Sequence, residues 1–315
     1  MDLQGKVVFI AGGSTGLGRE IAKKVASEGS HVTIFARRQE VLEKAWQEIS
    51  AVKQNTSQRI AAVPLDMSDY SQVETIMKSQ KTLPDILYCV AGGTPTQCGF
   101  LIDITAADIE SCMKNNYYTS AYMAHWMLRA WIEDDKTAER ETPRLRQIVF
   151  INSAAAFLGL PGYTAYTPSK CAVRALADTL RMEALRYSSQ VSTYTIHCAF
   201  PSNFITESFF EEQKRKPKIT KEIEGTLGTV LELRKKFPSA EKVAQQIIKG
   251  VSRGEFALCD DSLEGAMFFA NMVGPSPKRG LGIVDSIFAI LVGFFVWPNL
   301  RRIWERKLKR ESGFV

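Results

Sequence analysis

The chain has 315 residues, of which 45% are hydrophobic and 23% charged, a balance typical of a globular protein with a well-buried core. Six cysteines without a CxxC spacing and three scattered histidines predict reduced core thiols, as in a cytosol-facing protein, and exclude a metal site. The net charge of +6 suits an anionic cofactor, an acidic membrane surface or simply a solvated exterior, but the basic residues lack the aromatic stacking platform of a nucleic-acid-binding protein.

Strands and helices alternate along the chain, beginning with a strand close to the N-terminus and without the pattern of a cleaved secretory signal. Apolar strands are predicted at residues 6–12, 31–38, 60–66, 85–93, 146–156 and 191–202. Helices are predicted between them at 19–29, 39–52, 71–80, 106–133 and 167–186. Continuous apolar strands need cover on both faces, so this pattern predicts a parallel sheet with crossover helices. Two charge-dense segments, 133–144 and 211–222, lack the pattern and are expected to be mobile surface excursions.

A glycine-rich loop, AGGSTGLG at residues 11–18, lies directly between the first strand and the first helix. Its glycines allow a tight turn and let backbone N–H groups at the helix N-terminus approach a pyrophosphate closely. The loop therefore predicts a dinucleotide site. Its expected contacts are Gly12, Ser14, Thr15, Gly16, Leu17 and Gly18.

The end of the second strand indicates which dinucleotide binds. An NAD site usually has an acidic residue there, whereas the 2′-phosphate of NADP calls for a cation. This strand ends in Arg37 and Arg38, whose planar guanidinium groups can bind a phosphate in a bidentate manner, and Ser14 adds a hydroxyl donor. Glu40 is the one residue that would favour NAD if the turn placed it at the ribose. We predict NADPH.

The segment YTAYTPSK, residues 163–170, has Tyr166 and Lys170 four positions apart. On a helix this spacing puts both side chains on one face, where they can point into one cleft. Taken alone, the pair is more typical of a surface lysine lying over a neighbouring tyrosine than of a catalytic site.

The chain is similar to the short-chain dehydrogenase/reductase family over about residues 3–255. The resemblance rests on six motifs in the family's order and spacing: the glycine loop, LDMS at 65–68, VAGG at 90–93, KNNYY at 114–118, INSAAA at 151–156 and YxxxK at 166–170. It implies a single Rossmann-type, doubly wound domain with a seven-stranded parallel sheet and a site at the carboxyl ends of the strands.

The resemblance also implies catalytic roles. Tyr166 matches the family's general acid, and Lys170 matches the lysine that lowers the pKa of that phenol and holds the nicotinamide ribose. Ser153 matches the hydroxyl that polarises the substrate carbonyl. Asn116 matches a helix asparagine that supports a proton-supplying water path, with Asn115 as a one-position alternative. Further implied cofactor contacts are Asp66 at the adenine amine, Ala91, Gly92, Pro201 and Thr206.

Two departures from the family pattern stand out. Cys89 and Val90 replace both asparagines of the family's NNAG, so the hydrogen bonds made there must be met differently. After the sixth strand the usual PG is PSNFIT, which leaves Thr206 expected near the cofactor's carboxamide.

Residues 281–298 form an apolar run interrupted by Asp285 and Ser286 and flanked on both sides by basic residues. The run is slightly short for a full span. Three arrangements fit it: a thin transmembrane helix, a segment inserted into one leaflet, and a helix buried against the protein or a partner subunit. Trp297, Trp304 and the basic residues suit an interface anchor, so we favour membrane association.

Within the family, the chain resembles the 3-ketodihydrosphingosine reductases in GGSTGLG, GYTAYTPSK, ALADTLRMEAL and a hydrophobic C-terminal appendage. This likeness implies NADPH-dependent reduction of 3-ketosphinganine, a long-chain lipid ketone, at the cytosolic face of the endoplasmic reticulum membrane. The catalytic domain would be residues 1–265 and the membrane-associated segment 266–315. Relatives commonly form homo-oligomers through the helices carrying Asn116 and Tyr166. The alternatives are a membrane-bound reductase of a steroid, retinoid or 3-ketoacyl lipid, and a non-catalytic NADP-binding scaffold.

Residues 203–237 are expected to form a mobile lid over such a substrate, although a solvated loop with a surface helix fits the same sequence. The expected apolar lining of the lid is Phe209, Phe210, Leu227, Val230 and Leu231.

Overall fold

The computed structural model describes residues 2–93, 96–139, 141–272 and 276–311. Its strands are β1 Val7–Ala11, β2 His31–Ala36, β3 Ile60–Pro64, β4 Ile86–Cys89, β5 Arg144–Ile151, β6 Ser192–Ala199 and β7 Ala257–Leu258. They form one sheet in the order β3-β2-β1-β4-β5-β6-β7, and each neighbouring pair is parallel. The predicted seven-stranded, doubly wound sheet is confirmed. The strand order reverses between β1 and β4, which is where such sheets bind their ligands.

Helices cover both faces of the sheet. They are α1 Gly16–Ser27, α2 Gln39–Ala51, α3 Tyr70–Lys78, α4 Ala106–Met113, α5 Thr119–Asp135, α6 Tyr166–Tyr187, α7 Glu207–Arg215, α8 Lys218–Glu224, α9 Val230–Lys236, α10 Ala240–Ser252, α11 Leu263–Ala270, α12 Ile283–Leu291 and α13 Trp297–Glu311. Alternate strand residues serve opposite faces. In β1, Val8 and Ile10 pack in the core under α1, α2 and α10, whereas Phe9 and Ala11 pack in the core under α3, α5 and α6.

The helix predicted over residues 106–133 is divided. Between α4 and α5, residues Lys114–Tyr118 form a π-helical turn. Such a turn holds one extra residue and is frequent at functional sites. Here it carries the fully buried Asn116.

The prediction that residues 211–222 are a mobile surface excursion is wrong. They form the end of α7 and most of α8, and the side chain of Lys216 is fully buried. Its ammonium group lies 2.7 Å from a carboxylate oxygen of Glu212 and 2.5 Å from one of Glu224. Paired charges can enter a protein interior that isolated ones cannot. In the segment 133–144, by contrast, the described residues 136–139 and 141–143 lie between the end of α5 and the start of β5 and are mostly exposed, as expected for a surface segment.

The C-terminal apolar run lies in a continuous helix from Ile283 to Arg310. Among the described residues it is the helix long and apolar enough to cross a membrane, with a mean hydropathy of 1.8 over its apolar window, of which 11% is buried. A helix packed into the rest of this chain would have a much larger buried fraction. Asp285, the charge that interrupts the run, is 1% exposed and accepts hydrogen bonds from the guanidinium group of Arg279.

Candidate active site

A cavity of about 1910 Å³ opens at the carboxyl ends of the central strands. Its lining contains the predicted cofactor residues Gly12, Ser14, Thr15, Gly16, Leu17, Gly18, Arg37, Arg38, Asp66, Ala91, Gly92, Pro201 and Thr206, together with Ser153, Tyr166 and Lys170. Asn116 lies behind this lining rather than in it, because it is completely buried. The structure therefore brings together residues that are far apart in the sequence.

The glycine loop has the shape of a cradle for a diphosphate. A Cβ atom on Gly12 would lie 2.5 Å from the backbone nitrogen of Ala91, and one on Gly18 would lie 2.1 Å from the carbonyl oxygen of Gly12. Gly12 and Gly16 also have positive φ angles of 92° and 52°, which L side chains rarely adopt. These positions exclude side chains and leave backbone N–H groups at the start of α1 available to an anion. The loop fits a dinucleotide.

Arg37 and Arg38 are exposed and line the cavity beside this loop. Glu40, the residue that would favour NAD, is in the first turn of α2 and outside the lining. Asp66 lines the same cavity, lies in a side pocket together with Arg37, and accepts hydrogen bonds from the backbone and hydroxyl of Ser68. The ribose end of a bound dinucleotide would therefore meet the two arginines and not Glu40.

Tyr166 opens α6, and Lys170 follows one turn later on the same face. The ammonium nitrogen of Lys170 lies 5.6 Å from the centre of the Tyr166 ring and donates a hydrogen bond of 3.1 Å to the carbonyl of Ile151, at the end of β5. Ser153, two residues beyond that strand, hydrogen-bonds to the Tyr166 phenol. Strand end and helix start thus hold the three polar groups in one corner of the cavity.

Burial dominates the electrostatics of this corner. Desolvation raises the pKa of the Tyr166 phenol, and the hydrogen bond with Ser153 opposes the rise only in part. Desolvation also lowers the pKa of the Lys170 ammonium to about 8. The expectation that Lys170 brings the Tyr166 pKa below its usual value is therefore wrong, because the cost of burying a phenolate is the larger effect. A phenol that keeps its proton at neutral pH is suited to donating it.

Asn116 acts on the loop that follows β4. Its amide nitrogen donates to the carbonyls of Gly93 and Cys112, at 3.1 and 2.9 Å, and its amide oxygen accepts from the Gly93 backbone at 2.8 Å. A Cβ atom on Gly92 would meet both the Asn116 oxygen, at 2.6 Å, and the Lys170 ammonium, at 3.4 Å. Asn116 thus lies beside Lys170, whereas Asn115 faces the cavity near Asp66.

The two departures from the family pattern are accommodated locally. The backbone N–H groups of Val90 and Ala91 both donate to the carbonyl of Ala11 at 2.8 Å, so the loop after β4 is fixed without asparagine side chains there. In PSNFIT, the Thr206 hydroxyl caps α7 by accepting from the Phe209 backbone at 2.9 Å. The methyl group of Thr206 faces Gly16.

Sequence reasoning missed an ionic cluster on the other side of Tyr166. It consists of Tyr163, Glu212, Lys216 and Glu224, and all but Lys216 line the cavity. In the sequence, Tyr163 belongs to the tyrosine motif, Glu212 and Lys216 belong to the charge-dense segment 211–222, and Glu224 belongs to the segment expected to form a lid. Their alternating charges gave no signal of burial.

Beyond this cluster the cavity wall contains apolar residues together with the acidic Asp260, Asp261 and Glu264. Of the five residues predicted to line a lid, only Phe209 belongs to the cavity lining; Phe210 lies outside it, and so do Leu227, Val230 and Leu231, which are at least half exposed. The wall is instead completed by residues of other elements: Leu158, Leu160, Ile223, Met267, Phe268, Trp297, Leu300 and Trp304. The last three belong to α13, so the C-terminal helix borders the cavity.

Comparisons with known proteins agree with this geometry. The family model described as short chain dehydrogenase matches residues 6–214. The 3-ketodihydrosphingosine reductase of Bos taurus is 32% identical over 322 residues, covering 98% of this chain and 90% of its own. The 3-ketodihydrosphingosine reductase ksrA of Aspergillus fumigatus is 28% identical over 319 residues, covering 95% and 84%. A Burkholderia phymatum short-chain dehydrogenase/reductase solved with NAD shares the fold, with a TM-score of 0.65, 20% identity and coverage of 82% and 89%.

Proposed function

The chain belongs to the short-chain dehydrogenase/reductase family of oxidoreductases, and we propose from this that it reduces 3-ketosphinganine to sphinganine with NADPH. The proposal rests on one observation. Ser153, Tyr166 and Lys170 line the same cavity as a glycine loop that is shaped to hold a diphosphate. The named substrate comes from relatives that match nearly the whole chain and are called 3-ketodihydrosphingosine reductases.

The chemistry follows from the three polar side chains. Bound NADPH supplies the hydride that adds to the carbonyl carbon. Ser153 donates a hydrogen bond to the carbonyl oxygen and polarises it. Tyr166 gives its phenolic proton to that oxygen, which completes the alcohol and leaves a phenolate. The nearby ammonium of Lys170 stabilises the phenolate until a proton returns.

Asn116 has a supporting role in this proposal. Its side chain holds the backbone of Gly93 and lies beside Lys170, which fixes the corner where a proton must be resupplied. It does not touch the cavity, so we assign it as a positioning residue.

The choice of NADPH rests on Arg37 and Arg38. Both guanidinium groups line the cavity at the end of β2, where the adenosine ribose binds in this fold. A guanidinium pair suits a 2′-phosphate and offers no acceptor to the 2′-hydroxyl of NAD.

We also propose association with the cytosolic face of the endoplasmic reticulum membrane. A substrate with a long alkyl chain is costly to expose to water. Two observations support a site that opens towards lipid. The helix that begins at Ile283 is apolar and exposed, and its residues Trp297, Leu300 and Trp304 border the cavity. Exposed Met182 and Leu185 on α6 suit the expected homo-oligomer.

The test is NADPH oxidation by the detergent-solubilised full chain with 3-ketosphinganine. Tyr166→Phe removes the proton donor and should lower kcat by about 10²- to 10⁴-fold. Tyr187→Phe makes the same change at the exposed end of the same helix and should leave kcat unchanged. Equal rates for Tyr166→Phe and wild type would exclude this mechanism, and NADPH binding without reduction of 3-ketosphinganine would exclude this substrate.

A further inference from the structure

The ionic cluster beside Tyr166 has an excess of negative charge. Lys216 is paired with both Glu212 and Glu224, and the hydroxyl of Tyr163 donates a hydrogen bond of 2.6 Å to Glu212. Two carboxylates and one ammonium leave one negative charge without a counterpart. The side chains of Glu212 and Glu224 are only 17% and 10% exposed, so water compensates that charge poorly.

The lining also contains Lys214, Arg215, Lys235, Lys236 and Lys242, all of them exposed, and among the described residues none of these five forms an ion pair with Glu212 or Glu224. Lys214 and Lys236 are exposed, and they bind Glu211 and the carbonyl of Gly225 respectively. Burial raises the pKa of Glu224 even though Lys216 opposes the rise. A second cation entering the cavity would remove this penalty.

A separate observation indicates a ligand in the same place. Gln97 lines the cavity and is 6% exposed. Its amide nitrogen is bound to the hydroxyl of Ser111, but its amide oxygen has no hydrogen-bond partner among the described residues. A buried acceptor without a donor is costly, so a ligand that brings a donor gains affinity. The residues on either side of Gln97 contact the same region: the Cys98 thiol lies 3.4 Å from the carbonyl of Gly162, next to Tyr163, and Arg215 of α7 donates a hydrogen bond to the carbonyl of Thr96.

The cluster lies within reach of the reacting atoms. The rings of Tyr163 and Tyr166 are 5.6 Å apart, and the charges of Glu212 and Glu224 both contribute to the raised pKa of the Tyr166 phenol. A group held by the cluster is therefore a neighbour of the ketone that accepts the proton of Tyr166.

We propose that Glu212 and Glu224 bind a substrate ammonium group on the carbon next to the ketone, and that the Gln97 oxygen accepts a hydrogen bond from a hydroxyl on the following carbon. This inference rests on the proposed function, because 3-ketosphinganine carries this hydroxyl, ammonium and ketone on three successive carbons. Its alkyl chain then extends along the apolar wall towards Trp297 and Trp304. The site selects amino ketones, because a neutral ketone leaves the extra carboxylate charge uncompensated.

The first test uses the wild-type full chain and two ketones of equal length, 3-ketosphinganine and 1-hydroxyoctadecan-3-one, which lacks only the amine. We expect kcat/KM to be at least about tenfold higher for the amino ketone, chiefly through KM, since the analogue leaves buried site groups unpaired. Equal kcat/KM values overturn the site and leave the proposed function intact. Turnover of the analogue alone overturns both.

The second test changes the carboxylates. Glu224→Gln and Glu212→Gln should each raise KM for 3-ketosphinganine at least about tenfold. The value of kcat/KM for the analogue should stay within about threefold of wild type. The preference for the amine is then lost. Glu222→Gln makes the same change two residues away on α8, outside the cavity lining, and should change neither value. Variants that retain the wild-type preference overturn the proposal.

A third measurement needs no turnover and applies if a variant folds poorly. Sphinganine added to wild-type protein with NADP⁺ should raise Tm more than octadecane-1,3-diol, which has the same oxygens and no amine. Equal shifts overturn the ammonium site independently of any catalytic result.

Discussion

Lys170 is the residue whose charge state matters most at neutral pH. It is 3% exposed, and its contacts are a carbonyl oxygen and the face of the Tyr166 ring, neither of which carries a full negative charge in the resting state. Burial therefore lowers its pKa to about 8. The phenolate formed during reduction is its natural counter-ion, so proton transfer from Tyr166 is assisted only while Lys170 is protonated.

We expect kcat/KM for the ketone to fall as the pH rises through about 8. Below that value Lys170 carries its proton and stabilises the phenolate, and above it the neutral amine does not, so activity declines by up to tenfold per pH unit. Tyr166 cannot cause this decline, because its pKa is raised above the usual value near 10. The measurement is kcat/KM from pH 6 to 10. A flat profile up to pH 10 would contradict the assignment, and Lys170→Arg, if active, should abolish the decline.

Replacing both arginines at the end of β2 should change cofactor choice. Each charged hydrogen bond to a 2′-phosphate contributes about 1.5–3 kcal/mol, so Arg37→Gln/Arg38→Gln should weaken NADPH binding by at least about tenfold. NADH has no 2′-phosphate and its Kd should change less than threefold, which makes it the internal control. Fluorescence titration of both cofactors gives the answer. Parallel losses for the two cofactors would mean that the arginines do not contact the 2′-phosphate.

At this scale the sequence predicts residues whose partners are close along the chain. The glycine loop is one continuous segment, and Tyr166 and Lys170 are one helical turn apart. The contact between Tyr163 and Glu212 spans 49 positions, and no local spacing announces it. The pKa of Tyr166 also escaped prediction, because it depends on the depth of the cavity rather than on the identity of its neighbour.

At the scale of elements, the π-helical turn between α4 and α5 decides which asparagine faces the catalytic corner. A regular helix over residues 106–133 satisfies the hydrophobic pattern equally well, so the extra residue could not be predicted. The segment 211–222 was misjudged for a related reason. Hydrophobic periodicity identifies helices that bury an apolar face. The buried face of α7 and α8 instead carries charged side chains, which are paired around Lys216.

The close approach of this turn to the loop after β4 gives a sharp prediction. In Gly92→Ala the new Cβ would lie 2.6 Å from the Asn116 oxygen, at a φ of 155° that L side chains rarely adopt. We expect the free energy of unfolding to fall by about 1–3 kcal/mol and NADPH binding to weaken, since the loop must move away from Asn116. Urea unfolding and cofactor titration measure the two effects.

Gly159→Ala is the matched control, because its Cβ would have no atom within 4 Å and its φ is ordinary. It should change the free energy of unfolding by less than about 0.5 kcal/mol. If Gly92→Ala behaves like this control, Asn116 does not hold the loop as the hydrogen bonds suggest.

At the scale of the whole molecule, the C-terminal helix touches the rest of the chain through its two ends, and most of its apolar window is exposed. Its first part, α12, packs on α11, and its last part, α13, packs on α8 and lies beside the cavity. The side chains pointing away are apolar in α12 and the π-helical turn Val292–Val296, and basic in α13. A helix that keeps both of these contacts cannot extend across a bilayer, so among the three arrangements open from the sequence we favour insertion into one leaflet.

This arrangement predicts how membrane binding will respond to substitution. Ile287 and Phe294 are 58% and 74% exposed, and burying each in lipid contributes about 1.5–3 kcal/mol. Ile287→Glu/Phe294→Glu should therefore reduce binding to vesicles containing phosphatidylserine by at least about 100-fold in a flotation assay. Binding by the wild type should also weaken at high salt, because in this arrangement the basic residues of α13 would face anionic headgroups. Leu227→Glu/Leu231→Glu adds the same charge at exposed apolar positions of another region and should leave binding unchanged.

The position of the C-terminus separates insertion into one leaflet from a full span. A helix that lies in one leaflet keeps both of its ends on the side of the catalytic domain, so a C-terminal tag on protein bound to sealed vesicles should be cleaved by added protease. A helix that spans the bilayer would carry the tag inside and protect it. Protection would also remove Trp297, Leu300 and Trp304 from the cavity wall, because α13 could not then lie beside α8. The same assay therefore tests whether lipid substrate enters a cavity whose rim is the membrane-bound helix itself.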